Sequence, residues 1–168
     1  MVSENKAAVA VVMGSDSDMA VMQSCIEMLR DFGIEPLVRI ISAHRTPQIA
    51  AEFAQNAAKD GIKVIIGAAG MAAHLAGALA ARTTLPIIGV PLAAKAGLEG
   101  VDALLSTIQM PPGVPVATMA IGKAGAKNAA IFAVQILALS DDALAKKLAE
   151  FKKTQGEKVI EKDSALTD

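Results

Sequence analysis

Five short apolar runs alternate with stretches of helical spacing, and that alternation confines the chain to an α/β domain built on a parallel sheet. The runs fall at 8–13, 36–41, 63–67 and 85–90, with a fifth inside 115–121. Between the first two, residues 18–32 set Val21, Cys25, Met28, Leu29 and Phe32 on one face at amphipathic spacing, and Gly33 stops the helix. The stretch 47–59 repeats the pattern and is followed by Gly61. Residues 72–82 are apolar nearly all round and read as a helix covered on most sides, 98–109 are a weaker helix, and 125–139 are rich in alanine. The runs lack clean alternation, as expected of a sheet covered on both faces, and 37–41 reads as a buried strand. Residues 110–115 make a rigid turn rather than a linker, because apolar core resumes directly after it. A further helix over 141–160, capped by Ser140 or Asp141, carries Leu144, Leu148 and Phe151 as a stripe suited to a neighbouring subunit. The whole chain, 1–168, is read as one domain with 1–7 and 161–168 as flexible ends.

Composition removes several classes of partner. The net charge is −1, and the chain has 4 Phe but no Trp or Tyr, which suits neither nucleic acid nor an anionic membrane surface. One cysteine, Cys25, rules out an intrachain disulfide and a multi-cysteine metal site, and its place in an apolar helical pattern makes it a buried structural thiol. With 2 His a zinc site is not expected. No apolar stretch reaches the roughly 20 residues of a membrane span, and residues 1–7 lack a signal peptide's apolar segment. The expectation is a soluble cytoplasmic protein acting on a small molecule.

In parallel α/β sheets, ligands bind beyond the carboxyl ends of the strands. Three polar or glycine-rich loops lie at that edge. Gly14-Ser15-Asp16-Ser17-Asp18 offers backbone N–H groups, hydroxyls and a helix start to an anion, and the same residues also suffice as a simple helix cap. It has neither the lysine of a P-loop nor a GxGxxG fingerprint, which disfavours nucleoside triphosphates and dinucleotides. Ser42-Ala43-His44-Arg45-Thr46-Pro47 combines a hydroxyl, an imidazole that trades protons near neutral pH and a guanidinium that forks onto phosphate or carboxylate. His44 is the candidate acid/base group. The third loop, Gly67-Ala68-Ala69-Gly70-Met71-Ala72-Ala73-His74, ends in a histidine at an apolar helix start, read as structural. Lys123 reads as a solvated loop lysine.

Taken with Gln109-Met110-Pro111 and Ala120-Ile121-Gly122-Lys123-Ala124-Gly125, these motifs strongly resemble the N5-carboxyaminoimidazole ribonucleotide mutase family of purine biosynthesis, from about Ala8 to Glu157. The resemblance implies a flavodoxin-like three-layer sandwich with a five-stranded parallel sheet and an extra C-terminal helix, a homo-octamer, and no metal or organic cofactor. It implies an isomerase that moves a carboxylate from the exocyclic N5 to ring carbon C4 through released and retained carbon dioxide. Ser15, Ser42 and Arg45 would hold the 5′-phosphate, Asp18 the ribose hydroxyls, and His44 would move the protons. Backbone at Ala69, Gly70 and Leu75 would line the carbon dioxide pocket.

The third loop departs from the family's usual Gly-Gly-Ala-Ala-His-Leu-Pro-Gly, with Met71 at the second glycine and Ala76 at the proline, and 92–99 runs one residue longer. A positive φ at Met71 would be strained. Two alternatives stand beside the mutase. The related carboxylase uses free carbon dioxide and commonly has Ala-His-Lys where this chain has Ala43-His44-Arg45. A non-catalytic flavodoxin-like module is disfavoured, because the third run ends in Gly67-Ala68-Ala69 without a receiver's aspartate and the chain lacks the aromatics of a flavin carrier.

Overall fold

A computed structural model describes residues 7–94 and 97–166. Strands β1 (Val9–Met13), β2 (Leu37–Ile40), β3 (Val64–Gly70), β4 (Ile87–Leu92) and β5 (Ala117–Thr118) form one parallel sheet in the order β2-β1-β3-β4-β5. That is the doubly wound order of the flavodoxin-like fold. Helices α1 (Met19–Asp31), α2 (Pro47–Asn56), α3 (Leu75–Ala80), α4 (Val101–Ile108), α5 (Gly122–Ala138) and α6 (Asp142–Ser164) complete it, with a 3-10 turn at Asp16–Asp18. The chain forms two compact units, Met1–Ala133 and Val134–Asp168, the second made of the end of α5 and α6.

In the first unit, β1 is an inner strand, lying between β2 and β3. All five of its residues are buried, because parallel crossover helices cover both faces of an inner strand. Side chains alternate along it. Ala10 and Val12 join Ile41, Ile65 and Ile87 in a cluster with Ala50, Ala54 and Ala57 of the α2 segment and Leu75, Ala76 and Leu79 of α3. Val9, Val11 and Met13 point the other way and are equally buried. Helix α1 packs on β1 and buries Met22, Cys25, Ile26 and Leu29. Cys25 is therefore a core thiol, pushed by burial up to about 12.

The helices begin and end for local reasons. Pro47 sits in the first turn of α2, where its missing N–H costs nothing. Gly33, with φ 84, closes α1 in the left-handed conformation. Gly67 of β3 faces Ala76 of α3, and a Cβ on Gly67 would lie 3.3 Å from the Ala76 Cα. Small residues on both sides thus let α3 sit low on the sheet.

The structure corrects three sequence-based readings. Strand β2 is not a buried strand: it is the sheet's edge, and Leu37, Arg39 and Ile40 are exposed, with Ile40 at 53%. Helix α3 spans only Leu75–Ala80, with Leu75, Ala76 and Leu79 buried and Gly77, Ala78 and Ala80 half-buried. A bare apolar stripe lies on α4 and the turn before it, where Leu98, Val101, Leu105 and Ile108 are exposed. In the second unit, Asp141 caps α6 by accepting from the Ala143 and Leu144 N–H groups at 2.9 and 3.1 Å. The helix continues to Ser164, past 160, while 167 and 168 lie outside the described residues. Leu144, Leu148 and Phe151 are half-buried. None of the described helices is long and apolar enough to cross a membrane.

The start of α5 is the tightest backbone crossing. A Cβ at Gly125 would run into the Ala120 carbonyl oxygen, which belongs to the main chain and has no rotamer to yield. Gly125→Ala is expected to cost about 3 kcal/mol, the upper part of the range for overpacking, read as a lower urea midpoint with an unchanged m-value.

Candidate active site

The strand register delivers three loops to one place. Met13 pairs with Ile40 of β2 and Ala68 of β3, so β1, β2 and β3 leave the sheet side by side. The Gly14 N–H donates to the Ala68 carbonyl at 3.1 Å and the Ile41 N–H to the Met13 carbonyl at 2.8 Å, extending the pairing to the loops' first residues. Between the loops lies a cleft of about 530 Å³ lined by residues of all three and by Ala94. That volume suits a nucleotide-sized ligand.

The first loop is held by a reciprocal cap. The Ser15 N–H donates to the Asp18 carboxylate at 3.0 Å, and the Ser15 hydroxyl accepts from the Ser17 N–H at 3.4 Å. Capping and cleft lining are thus done by the same side chains. Burial holds the Asp18 carboxyl above its ordinary value of 3.8, opposed by hydrogen bonds from the Ser15 and Gly14 N–H groups and reinforced by the charge of Asp16.

The second loop is locked at its base. The Thr46 hydroxyl accepts from the Ser42 N–H at 3.0 Å and donates to the Ser42 carbonyl at 2.9 Å, while the Ser42 hydroxyl accepts from the Arg45 N–H at 3.1 Å. The Arg45 guanidinium then reaches across. Its Nη2 donates to the Gly14 carbonyl at 3.1 Å and its Nε to the Ser42 hydroxyl at 3.4 Å. One cation therefore ties the first loop to the second, with its remaining N–H donors free for an oxyanion.

The third loop brings a residue that sequence reasoning assigned to structure. His74 is exposed in the cleft, and its Nδ1 lies 2.8 Å from the Nε2 of His44, the rings meeting edge to face with centroids 4.9 Å apart. At that distance one ring donates and the other accepts, so the pair shares a proton position. The signal lay in topology: β2 and β3 flank β1, and each is followed by a loop carrying one histidine. Ser17, Met71, Ala72 and Ala94 also line the cleft and were not singled out as ligand contacts. Met71 has φ 54, which for a side chain with a Cβ costs about 1–2 kcal/mol. Ser15, Asp18, Ser42, His44, Arg45, Ala69, Gly70 and Leu75 all line the cleft. Lys123 is exposed in the first turn of α5 and is not among the lining residues. Among the described residues no group of three or more His, Cys, Asp or Glu side chains is arranged to hold a metal ion.

The chain is similar to known proteins over nearly its whole length. A family model described as AIR carboxylase matches residues 8–158. The chain is 53% identical to the N5-carboxyaminoimidazole ribonucleotide mutase of Brucella melitensis, over 93% of this chain and 96% of that one. It is 49% identical to the protein of the same name from Bacillus subtilis strain 168, over 94% of this chain and 97% of that one. The crystal structure of Treponema denticola PurE superposes with a TM-score of 0.85 at 31% identity, covering 95% of this chain and 98% of that one.

The raised Asp18 carboxyl has a testable sign. A group whose folded pKa exceeds its unfolded value stabilises the fold most when protonated, below pH 3.8. That contribution is lost as pH rises through the folded value. Carbon-13 NMR of the Asp18 carboxyl in the ligand-free protein should show titration above 3.8. The stability of Asp18→Asn relative to wild type should improve with rising pH over the same interval.

Proposed function

The chain belongs to the AIR carboxylase family, and on that premise we propose that it is an isomerase of purine biosynthesis, an N5-carboxyaminoimidazole ribonucleotide mutase. The observation that carries this reading is the placement of His44, paired with His74, in the same cleft as Ser15, Ser42 and Arg45. An anion anchor and a proton-trading group at opposite ends of one ligand are what the reaction asks for. Ser15, Ser42 and Arg45 hold the 5′-phosphate, whose binding energy orients the distant ring. Asp18 accepts from the ribose hydroxyls.

The chemistry balances internally. The bond between N5 and the carboxylate carbon breaks with its electron pair left on nitrogen, and His44 supplies the proton N5 needs. Carbon dioxide is freed beside the ring. The enamine-like C4 gives its electron pair to the carbon of carbon dioxide, and the C4 proton returns to His44, leaving 4-carboxy-5-aminoimidazole ribonucleotide. One imidazole serves both steps, because the proton given first is recovered last. His74 holds that imidazole in orientation. Small backbone-rich walls at Ala69 and Gly70, with Leu75, make the pocket for a gas molecule that has little to grip.

The carboxylase that uses aminoimidazole ribonucleotide and free carbon dioxide is the second reading. Arg45 directly after His44, where that enzyme commonly has lysine, favours the mutase. The deciding assay presents the carboxyamino substrate in parallel with aminoimidazole ribonucleotide plus bicarbonate. Faster turnover of the second pair would overturn the assignment. His44→Asn is expected to lower turnover by about 10²–10⁴-fold while ligand still binds, measured as kcat alongside calorimetric affinity.

The enzyme acts in the cytoplasm as a homo-oligomer, an octamer. Supporting self-association are the bare apolar stripe Leu98, Val101, Leu105 and Ile108, and the exposed edge residues Leu37 and Ile40. Apolar faces of this kind mark interfaces, and closed symmetry satisfies them. Leu105→Glu is expected to dissociate the assembly at unchanged helix content. Sedimentation equilibrium with circular dichroism checks it, and an unaltered mass would remove α4 from the interface.

A further inference from the structure

The donors of the first loop are turned toward a negative charge of the chain's own. The Ser15 hydroxyl donates to Asp16 Oδ1 at 3.0 Å. The Ser17 N–H donates to the same oxygen at 3.0 Å, closer than its 3.4 Å approach to the Ser15 hydroxyl. The Ser17 hydroxyl donates in turn to Ser15 Oγ at 3.1 Å, so the run of hydroxyl protons ends on one carboxylate oxygen. Ser15 and Ser17 line the cleft, whereas Asp16 is exposed and stands outside the lining, one hydrogen bond away from it. The turn has its own support in the reciprocal cap between Ser15 and Asp18. The charge of Asp16 is nonetheless felt across the turn, where it is one of the causes that raise the Asp18 carboxyl.

We propose that Asp16 is an internal competitor for the 5′-phosphate site: its carboxylate occupies the Ser15 hydroxyl and the Ser17 N–H that a bound phosphate would take, and so limits the loop's affinity for every ligand carrying that phosphate. The inference rests on the phosphate reading of the first loop given above. A serine hydroxyl has one proton to donate. When Ser15 gives it to phosphate, Asp16 loses it, and a carboxylate is left roughly 5 Å from a dianion, about two hydrogen-bond lengths away. Like charges at that spacing repel even in water. The penalty falls equally on substrate and product, because both carry the 5′-phosphate. Uniform weakening of this kind raises KM without slowing the chemical step, and it lets the product leave sooner. Arg45 of the second loop draws the phosphate in, and Asp16 of the first limits how firmly it is held.

The test compares wild type with Asp16→Asn, which keeps the acceptor oxygen and drops the charge, and with Asp16→Glu, which keeps the charge. Calorimetry reads the affinity for 4-carboxy-5-aminoimidazole ribonucleotide, for its dephosphorylated riboside and for ribose 5-phosphate. Asp16→Asn is expected to bind both phosphorylated ligands about tenfold more tightly at low salt, the size of a contact between one charge and a dianion at that spacing in water-like surroundings. The gain should shrink in about 1 M salt, where screening acts over about 3 Å. The riboside should be indifferent, and Asp16→Glu should show no gain. In turnover the change should appear as a lower KM and not as a higher kcat. An acid serving only the helix start would instead lower the urea midpoint when replaced and leave the phosphate affinities alone. Unchanged or weaker phosphate binding in Asp16→Asn, an equal gain for the riboside, or an equal gain in Asp16→Glu would overturn the role of Asp16 and leave the mutase reading standing. Tighter ribose 5-phosphate in Asp16→Asn, with no turnover of the carboxyamino substrate by wild type, would overturn the mutase reading and leave the competitor standing.

Discussion

The parallel register at one rung of the sheet, Met13 flanked by Ile40 and Ala68, is the constraint on which the rest of the molecule depends. A strand rises about 3.3 Å per residue, so a slip of two residues that kept every side chain on its proper face would still move a loop by roughly 7 Å. Arg45 would then lose the Gly14 carbonyl and His44 would lose His74. The register is fixed by fully buried side chains on both faces of β1. Chemistry at the sheet edge is in this sense a product of packing in the sheet's middle.

The polar groups of the cleft are already engaged with one another. Ser15 and Asp18 cap each other, Ser42 and Thr46 close their own turn, and Arg45 spans two loops. Each such bond removes a rotamer that a ligand would otherwise have to freeze, so more of the binding energy remains for orientation. Asp18 sits above its ordinary value because burial outweighs the N–H groups that donate to it.

The order of strands and helices was legible in the sequence because buried parallel strands and amphipathic helices carry different periods, and the punctuation at Gly33, Pro47 and Gly61 agreed with them. The first two loops were legible because they concentrate polar chemistry next to apolar runs. Which strand forms the edge was not, since an apolar run looks the same whether its second face meets a helix in its own chain or another molecule. That is how β2 came to read as buried. His74 was hidden for a different reason. It lies thirty positions from His44, and only strand order and the turn at Met71 bring the rings together. The sequence says only that a positive φ at Met71 would be strained, and that the turn takes such a φ is a fact of three dimensions.

The two edges of the sheet are unequal. β5 offers a ladder only two residues long, too short to template another strand, whereas β2 leaves four residues of open backbone with Leu37 and Ile40 bare beside it. A newly made chain therefore carries a sticky margin from the moment its sheet closes. Its solubility then depends on how often that margin meets another unfinished chain, a frequency that dilution lowers and overproduction raises by mass action.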